Sequence, residues 1–169
     1  IKNILQEDKP VPGCTISEQL YQQDDTTVSV FALAAGTSIS AEAYQYHKII
    51  TVLSGKLTIT TENEDNEELT SGDSFITWTD KPVGIRTSKG CIYLETCLSK
   101  SAQLNSRLRI GHVFQLQRIL PYQDNKIINM DLISDPTMKL VMMSFKGNTG
   151  LAEHSAPGKA LIYALDGSA

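Results

Sequence analysis

The 169-residue chain is poor in the groups that most often announce a chemistry: it has three histidines, three cysteines and one tryptophan. The cysteines, Cys14, Cys91 and Cys97, are odd in number and lack the paired spacing of a metal knuckle. They are expected to be buried thiols of a reducing cytoplasm rather than a disulfide framework. Positive charge is also scarce. The formal net charge is −4, which leaves no basic patch and excludes nucleic acid as a partner. No apolar run is longer than a strand, so no membrane helix is expected. The opening IKNILQEDKP lacks the charged-then-apolar pattern of an export signal, and the expected location is cytoplasmic. A glycine-rich phosphate loop and a Gly-x-Ser-x-Gly nucleophile turn are both missing, so neither nucleotide chemistry nor serine-hydrolase chemistry is indicated.

What the chain does have is an internal repeat. EAYQYHKIITVLSG (Glu42 to Gly55) returns in design as EHSAPGKALIYALDG (Glu153 to Gly167) at a constant offset of 112 residues. That offset carries Glu42 onto His154, Gly55 onto Gly167, and Val28-Ser29-Val30-Phe31 onto Leu140-Val141-Met142-Met143. A repeat of this length implies one architectural unit used twice.

Within the first unit, short β-rich runs are divided by turn residues. Val28 to Leu33 alternates. Ile49 to Leu53 reads as a strand ended by a turn at Ser54-Gly55, and Leu57 to Thr61 as the next strand, rich in β-branched residues. The polar run ENEDNEE (62–68) reads as a hairpin loop. Ser74 to Trp78, Ile85 to Thr87 and Cys91 to Leu98 supply further strands. Many short strands at this spacing predict an all-β sandwich or barrel with Val28, Val30, Ile50, Val52, Leu57, Ile59, Phe75 and Ile76 contributing apolar surface. Val113 to Leu120 has helical spacing stopped by Pro121 and predicts a short helix. Ile127 to Leu132, Lys139 to Phe145 and Leu161 to Leu165 are the predicted strands of the second copy.

Gly36 to Gly55 resembles the first cupin motif, and LTSGDSFITWTDKPVGIR (Leu69 to Arg86) resembles the second, with its Gly-Asp turn, strand and proline turn in order. The second copy matches the first motif only. The run Glu-His-Ser-Ala-Pro-Gly at 153–158 is similar to two-cupin (bicupin) bacterial proteins. The resemblance implies an all-β cupin fold, a jelly-roll β-barrel, with one complete barrel and the first strands of a second. The organisation it implies is an N-terminal arm and first strand at 1–25, a first cupin domain at 26–98, a linker with a short helix at 99–125, and a partial second cupin at 126–169.

A cupin metal is held by three imidazoles and a carboxylate. The slots implied by the resemblance hold Glu42, Tyr44, Lys48 and Val83 instead. A lysine and a valine cannot ligate, so neither metal nor other cofactor is expected. In the second copy the corresponding residues are His154, Ala156 and Ala160, a lone pocket histidine without co-ligands. Glu42 and Lys48 are expected to pair across the cavity, or each to reach another polar group; if the site is dry, Lys48→Met is expected to cost on the order of 3 kcal/mol. Tyr44, Tyr46, Trp78 and Arg86 are candidates to line the barrel mouth, where aromatics and a cation suit a small anionic or sugar-like ligand.

These readings predict a metal-free small-molecule binder or a structural or regulatory dimer. The alternative is a cupin enzyme, isomerase- or dioxygenase-like, using atypical acid–base or metal ligands drawn from Glu42, Tyr44 and Lys48. The strands of the second copy lack the cover that Leu57 to Leu98 provides in the first. Exposed apolar strands of this kind predict a homodimer, or cover by a longer parent chain.

Overall fold

A computed structural model describes residues 3–62, 66–155 and 158–167. One helical turn, α1 (Ile4–Glu7), leads into β1 (Thr15–Gln23), β2 (Thr26–Leu33), β3 (Ser38–Glu42), β4 (Lys48–Thr60), β5 (Glu67–Thr70), β6 (Asp73–Ile76), β7 (Val83–Arg86) and β8 (Cys91–Cys97). The remaining strands are β9 (Gln103–Leu104), β10 (Phe114–Gln115), β11 (Ile127–Ser134) and β12 (Lys139–Phe145). No helix among the described residues is long and apolar enough to cross a membrane.

The order β1-β2-β8-β4-β6-β10 forms one sheet, while β5 and β7 pair with the far half of β4 and β3 pairs with β7. Strand β4 therefore belongs to both sheets. Its first half meets Ile76, Phe75 and Ser74 of β6, and its second half meets Glu67 to Thr70 and Gly84 to Arg86. This corrects the expectation of two strands separated by a turn at Ser54-Gly55. The chain bulges there without reversing, between Val52 and Ser54 in the pairing with β8. Gly55 takes φ +82°, and a Cβ at that position would fall on the Gly90 carbonyl oxygen and lie 2.9 Å from Cys91 Cα. Glycine is required there twice over, by conformation and by the close approach of β8.

The space between the sheets is filled by Leu33, Ile50, Val52, Leu57, Ile59, Leu69, Phe75, Ile85, Cys91 and Tyr93. All eight residues expected to contribute apolar surface are buried, on two different faces of the larger sheet. Ile50, Val52, Leu57, Ile59 and Phe75 point inward. Val30 lies in an outer cluster with Ala32, Leu53, Ile92 and Leu94, against which Ile4 and Leu20 pack. Ile76 joins Ile49 and Leu98 in a second outer cluster. The larger sheet is thus apolar on both faces, as a sheet covered on both sides must be.

The cover for the second outer cluster comes from the repeat. Leu132, Ile133 and Met142 of the β11–β12 hairpin bury against Ile49 and Ile76, with Leu116, Ile119 and Leu120 beside them. The hairpin reproduces β1–β2 at the offset of 112 in detail. Thr15↔Leu33 returns as Ile127↔Phe145, and Glu18↔Val30 as Met130↔Met142. The bulge between Gln19 and Tyr21 returns between Asp131 and Ile133. The left-handed residues Gly13, Gly36 and Gly55 return as Asn125, Asn148 and Gly167. Even the turn in which the Thr37 hydroxyl donates to the Ala34 carbonyl recurs with Thr149 and Lys146.

Three expectations for individual segments change. The helix over Val113 to Leu120 reduces to a 3-10 turn at Leu116–Arg118, because Phe114 and Gln115 are drawn into pairing with Ser74 and Asp73. The Gln115 amide donates to Asp73 at 2.8 Å. Leu161 to Leu165 forms no strand; Leu165 packs into the second outer cluster, but Leu161 and Ile162 are exposed, with no neighbouring strand to hydrogen-bond them. The loop expected over 62–68 is shortened by β5, which starts at Glu67, and its residues 63–65 lie outside the described ones.

Asp135, at the tip of the second hairpin, ties it to the barrel. Its carboxylate accepts from the Ser99 N–H at 2.8 Å, the Thr137 N–H at 3.1 Å and the buried Thr26 hydroxyl at 3.2 Å. Burial works to raise this carboxyl, but donation from Thr137 and Ser99 outweighs it and holds the group below its ordinary value. Stability from a depressed carboxyl is present above its unfolded pKa and is lost as pH falls through the folded one. Asp135→Asn is therefore expected to lower stability by about 1 kcal/mol at neutral pH, with the difference shrinking as pH falls below the ordinary carboxyl range in urea titrations. Gly55→Ala is expected to cost roughly 2 kcal/mol or more, read as a lowered urea midpoint.

Candidate functional site

The open end of the barrel holds a narrow, solvent-open cavity of about 40 Å³ lined by Ile39, Ser40, Glu42, Tyr44, Lys48, Ile50, Thr77, Trp78, Val83, Ile85 and Glu95. Glu42 ends β3, Lys48 starts β4 and Val83 starts β7, so three of the four slot residues are brought to one mouth by strand ends. Tyr44 comes from the loop between β3 and β4. The Lys48 backbone is fixed across the sheet: its N–H donates to the Thr77 hydroxyl at 2.8 Å, and its carbonyl accepts from the Thr77 N–H at 3.0 Å.

Glu42 and Lys48 do not pair with each other; of the two expected arrangements the second forms, each reaching another polar group. The Lys48 ammonium pairs with Glu95 of β8 at 3.1 Å, with side chains only 16% and 11% exposed. Its Nζ also lies 3.9 Å from the centre of the Tyr44 ring, a cation–π contact. Glu42 instead accepts a short hydrogen bond from the Tyr44 hydroxyl. Because that bond is lost when the phenol ionises, it pushes the Tyr44 pKa up to about 12, with burial acting in the same direction. The Cys97 thiol, raised by burial, approaches the same Glu95 oxygen at 3.7 Å. Four side chains thus form one chain of contacts: Glu42, Tyr44, Lys48 and Glu95.

Glu95 is a cavity residue absent from the candidates drawn from the sequence. Its signal was present: in CIYLETC, Ile92 and Leu94 face outward while Tyr93 and Glu95 share the inward face, and a carboxylate on a core-facing position demands a partner. Trp78 lines the cavity as expected, stacking edge-on with Phe75 at 5.6 Å. Its indole is seated by Gly111, where a Cβ would collide with the ring. Tyr46 tilts against Tyr44 at 5.2 Å without lining the cavity.

Arg86 is exposed at the far end of β7 and does not line the mouth, because Val83, at the other end of this four-residue strand, is the one that reaches it. His154 is also exposed and away from the cavity, its Nδ1 against the Ala152 carbonyl at 2.9 Å, while Ala156 lies outside the described residues. His47 turns away to the Thr77 carbonyl at 2.6 Å. Val83 offers no donor atom, and the Lys48 ammonium, tied to Glu95, has no lone pair to give. These residues do not fit the metal that such barrels hold, and among the described residues no group of three or more His, Cys, Asp or Glu converges.

No family model matches the sequence, and no curated protein matches it. Solved structures do match. A cupin 2 conserved barrel domain protein from Leptotrichia buccalis superposes with a TM-score of 0.73 at 23% identity, over 86% of this chain. The chain spans 64% of that neighbour's length. A conserved protein of unknown function from Streptococcus pyogenes matches at TM-score 0.53 and 19% identity, over 57% of this chain and 84% of its own. A conserved protein with a double-stranded β-helix domain from Klebsiella pneumoniae matches at TM-score 0.51 and 21% identity, over 57% and 87%. The chain shares the cupin jelly-roll fold of these neighbours.

If Glu42 holds the Tyr44 proton, the phenol is expected to titrate near pH 12 and to return toward 10 in Glu42→Gln. Carbon-13 NMR of labelled tyrosine reads both midpoints directly.

Proposed function

We propose that this is a metal-free cupin that binds a small molecule at the mouth of its complete barrel. The observation that carries the reading is the Glu42–Tyr44–Lys48–Glu95 chain of contacts, held in a solvent-open cavity whose apolar walls include Ile39, Ile50, Trp78, Val83 and Ile85, with the Ser40 and Thr77 hydroxyls beside them. Convergent, pre-positioned polar groups in an apolar concavity are the ordinary form of a ligand site. The lysine supplies the positive charge that a metal supplies in other members of the fold.

The chain also carries, on this reading, the opening strands of a second cupin barrel. Supporting it are the register of the second hairpin and the face it leaves open. Val141, Met143 and Phe145 are each more than a third exposed. At the offset of 112 they correspond to Ser29, Phe31 and Leu33 of β2, and Phe31 and Leu33 belong to the interior of the first barrel. On this reading the exposed face would be the inner wall of a second barrel, and the match over 86% of this chain to the Leptotrichia buccalis protein supports it. Until such a wall is covered, it favours self-association, in keeping with a dimer.

Elemental analysis of the purified protein is expected to find no stoichiometric transition metal. A thermal-shift screen of small polar molecules is expected to find saturable stabilisation that Lys48→Met abolishes, since a ligand of the native state raises the melting temperature. A stoichiometric metal whose removal abolishes the shift would overturn the reading.

A further inference from the structure

The contacts within the cavity also restrict what it can bind. Three charged groups line it: the Glu42 and Glu95 carboxylates and the Lys48 ammonium, leaving one net negative charge. The single cation is already engaged twice, by Glu95 at 3.1 Å and by the Tyr44 ring at 3.9 Å, which leaves one of its three N–H donors free. The carboxylates are under-used. Glu42 accepts only from the Tyr44 hydroxyl, and Glu95 only from Lys48 and the weak Cys97 thiol, among the described residues. Each has lone pairs left over. The Thr77 hydroxyl, which accepts from the Lys48 N–H, retains a proton to donate.

This inventory decides against an anion, which would meet two carboxylates for one half-spent ammonium. It also decides against a small cation, which would have to sit within reach of Lys48 to use Glu95. What remains is a neutral molecule that donates and accepts from neighbouring atoms. A hydroxyl can give its proton to a carboxylate and accept from Lys48 or Thr77 at once, and adjacent hydroxyls can do so on Glu42 and Glu95 together. The aliphatic walls, Ile39, Val83 and Ile85, suit the C–H face of such a molecule. Resting on the small-molecule reading above, we infer that the cavity takes a small, neutral, multiply hydroxylated ligand carrying vicinal hydroxyls. Of the anionic or sugar-like ligand expected at the barrel mouth, this keeps the sugar-like alternative; Arg86, the cation behind that expectation, does not line the cavity.

The test is isothermal titration of the 169-residue protein with three probe classes at one ionic strength: neutral polyols of three to six carbons (glycerol, erythritol, xylose, glucose), putrescine, and inorganic phosphate. Glu42→Gln, at the exposed rim, is the companion variant, with circular dichroism to verify its fold. The expected result is saturable binding of at least one polyol, weakened about tenfold or more in Glu42→Gln because a charge-assisted acceptor is lost, with no saturable binding of phosphate or putrescine. Saturable phosphate or putrescine binding without polyol binding would overturn the ligand class and leave the binding site standing. Polyol binding unchanged in Glu42→Gln would also overturn the class, since the hydroxyls would then not use this carboxylate. No saturable binding by any probe would overturn both this inference and the small-molecule reading beneath it.

Discussion

Everything in the barrel depends on one strand serving two sheets. Strand β4 runs from Lys48 to Thr60 and changes partners partway, from β6 to β5 and β7, while β8 follows its first half. A thirteen-residue strand can do this only if it bends, and the bend needs a residue that tolerates φ near +82° with the β8 backbone pressed against it. Gly55 meets that requirement. Inward-facing residues from both halves of β4, Ile50 and Val52 on one side and Leu57 and Ile59 on the other, then close on the same core. The same geometry puts Lys48, the first residue of β4, at the open end of the barrel on the face of Ile50 and Val52, so the ammonium meets the cavity and not solvent alone.

A lysine in that position has to be compensated, and the compensation shapes the site. Desolvating a charge without a partner costs several kcal/mol, while pairing it recovers most of that cost. Here Glu95 supplies the counter-charge from the neighbouring strand, and Tyr44 covers the ammonium with its ring while its hydroxyl donates a hydrogen bond to Glu42. Satisfying Lys48 internally removes the electrostatic reason for an anion to bind, and it leaves acceptor capacity on two carboxylates. The outer face of the same sheet is used differently. Ile49 and Ile76 are sealed by Leu132, Ile133 and Met142 of the repeated hairpin, so the repeat stabilises the complete barrel before it contributes to anything else.

The architecture was legible in the sequence because its signals are local and periodic. Gly36 marks a left-handed turn, the β-branched runs mark strands, and the offset of 112 marks a repeated unit whose register is kept down to its bulge, whereas Gly55 proves to be a left-handed bend within a strand and not a turn. The site was legible only in part. The slot residues Glu42, Tyr44, Lys48 and Val83 do converge, because strand ends at one rim of a barrel necessarily do. The pairing among them was not readable, since Glu95 lies 47 positions from Lys48 in the chain and is brought near only by the antiparallel register of β4 with β8, where Ile50 faces Glu95. Arg86 was misjudged for a related reason: a four-residue strand carries its two ends to opposite rims, and motif spacing alone does not say which rim is the mouth. The 3-10 turn at Leu116 to Arg118 was over-read as a helix because apolar spacing reports a buried face and not the competing pull of β6 on Phe114 and Gln115.

The central claim is that the Lys48 ammonium inside the barrel is balanced by Glu95 rather than by a bound anion. A double-mutant cycle on Lys48→Met and Glu95→Gln, measured by urea denaturation in chelator-treated, low-phosphate buffer, addresses it most directly. Each single variant strands one charged partner, whereas the double variant strands none, so the account predicts a favourable coupling of about 2 kcal/mol. A coupling below about 0.5 kcal/mol would contradict it, showing that the two groups are satisfied independently and that Lys48 is free to serve another partner.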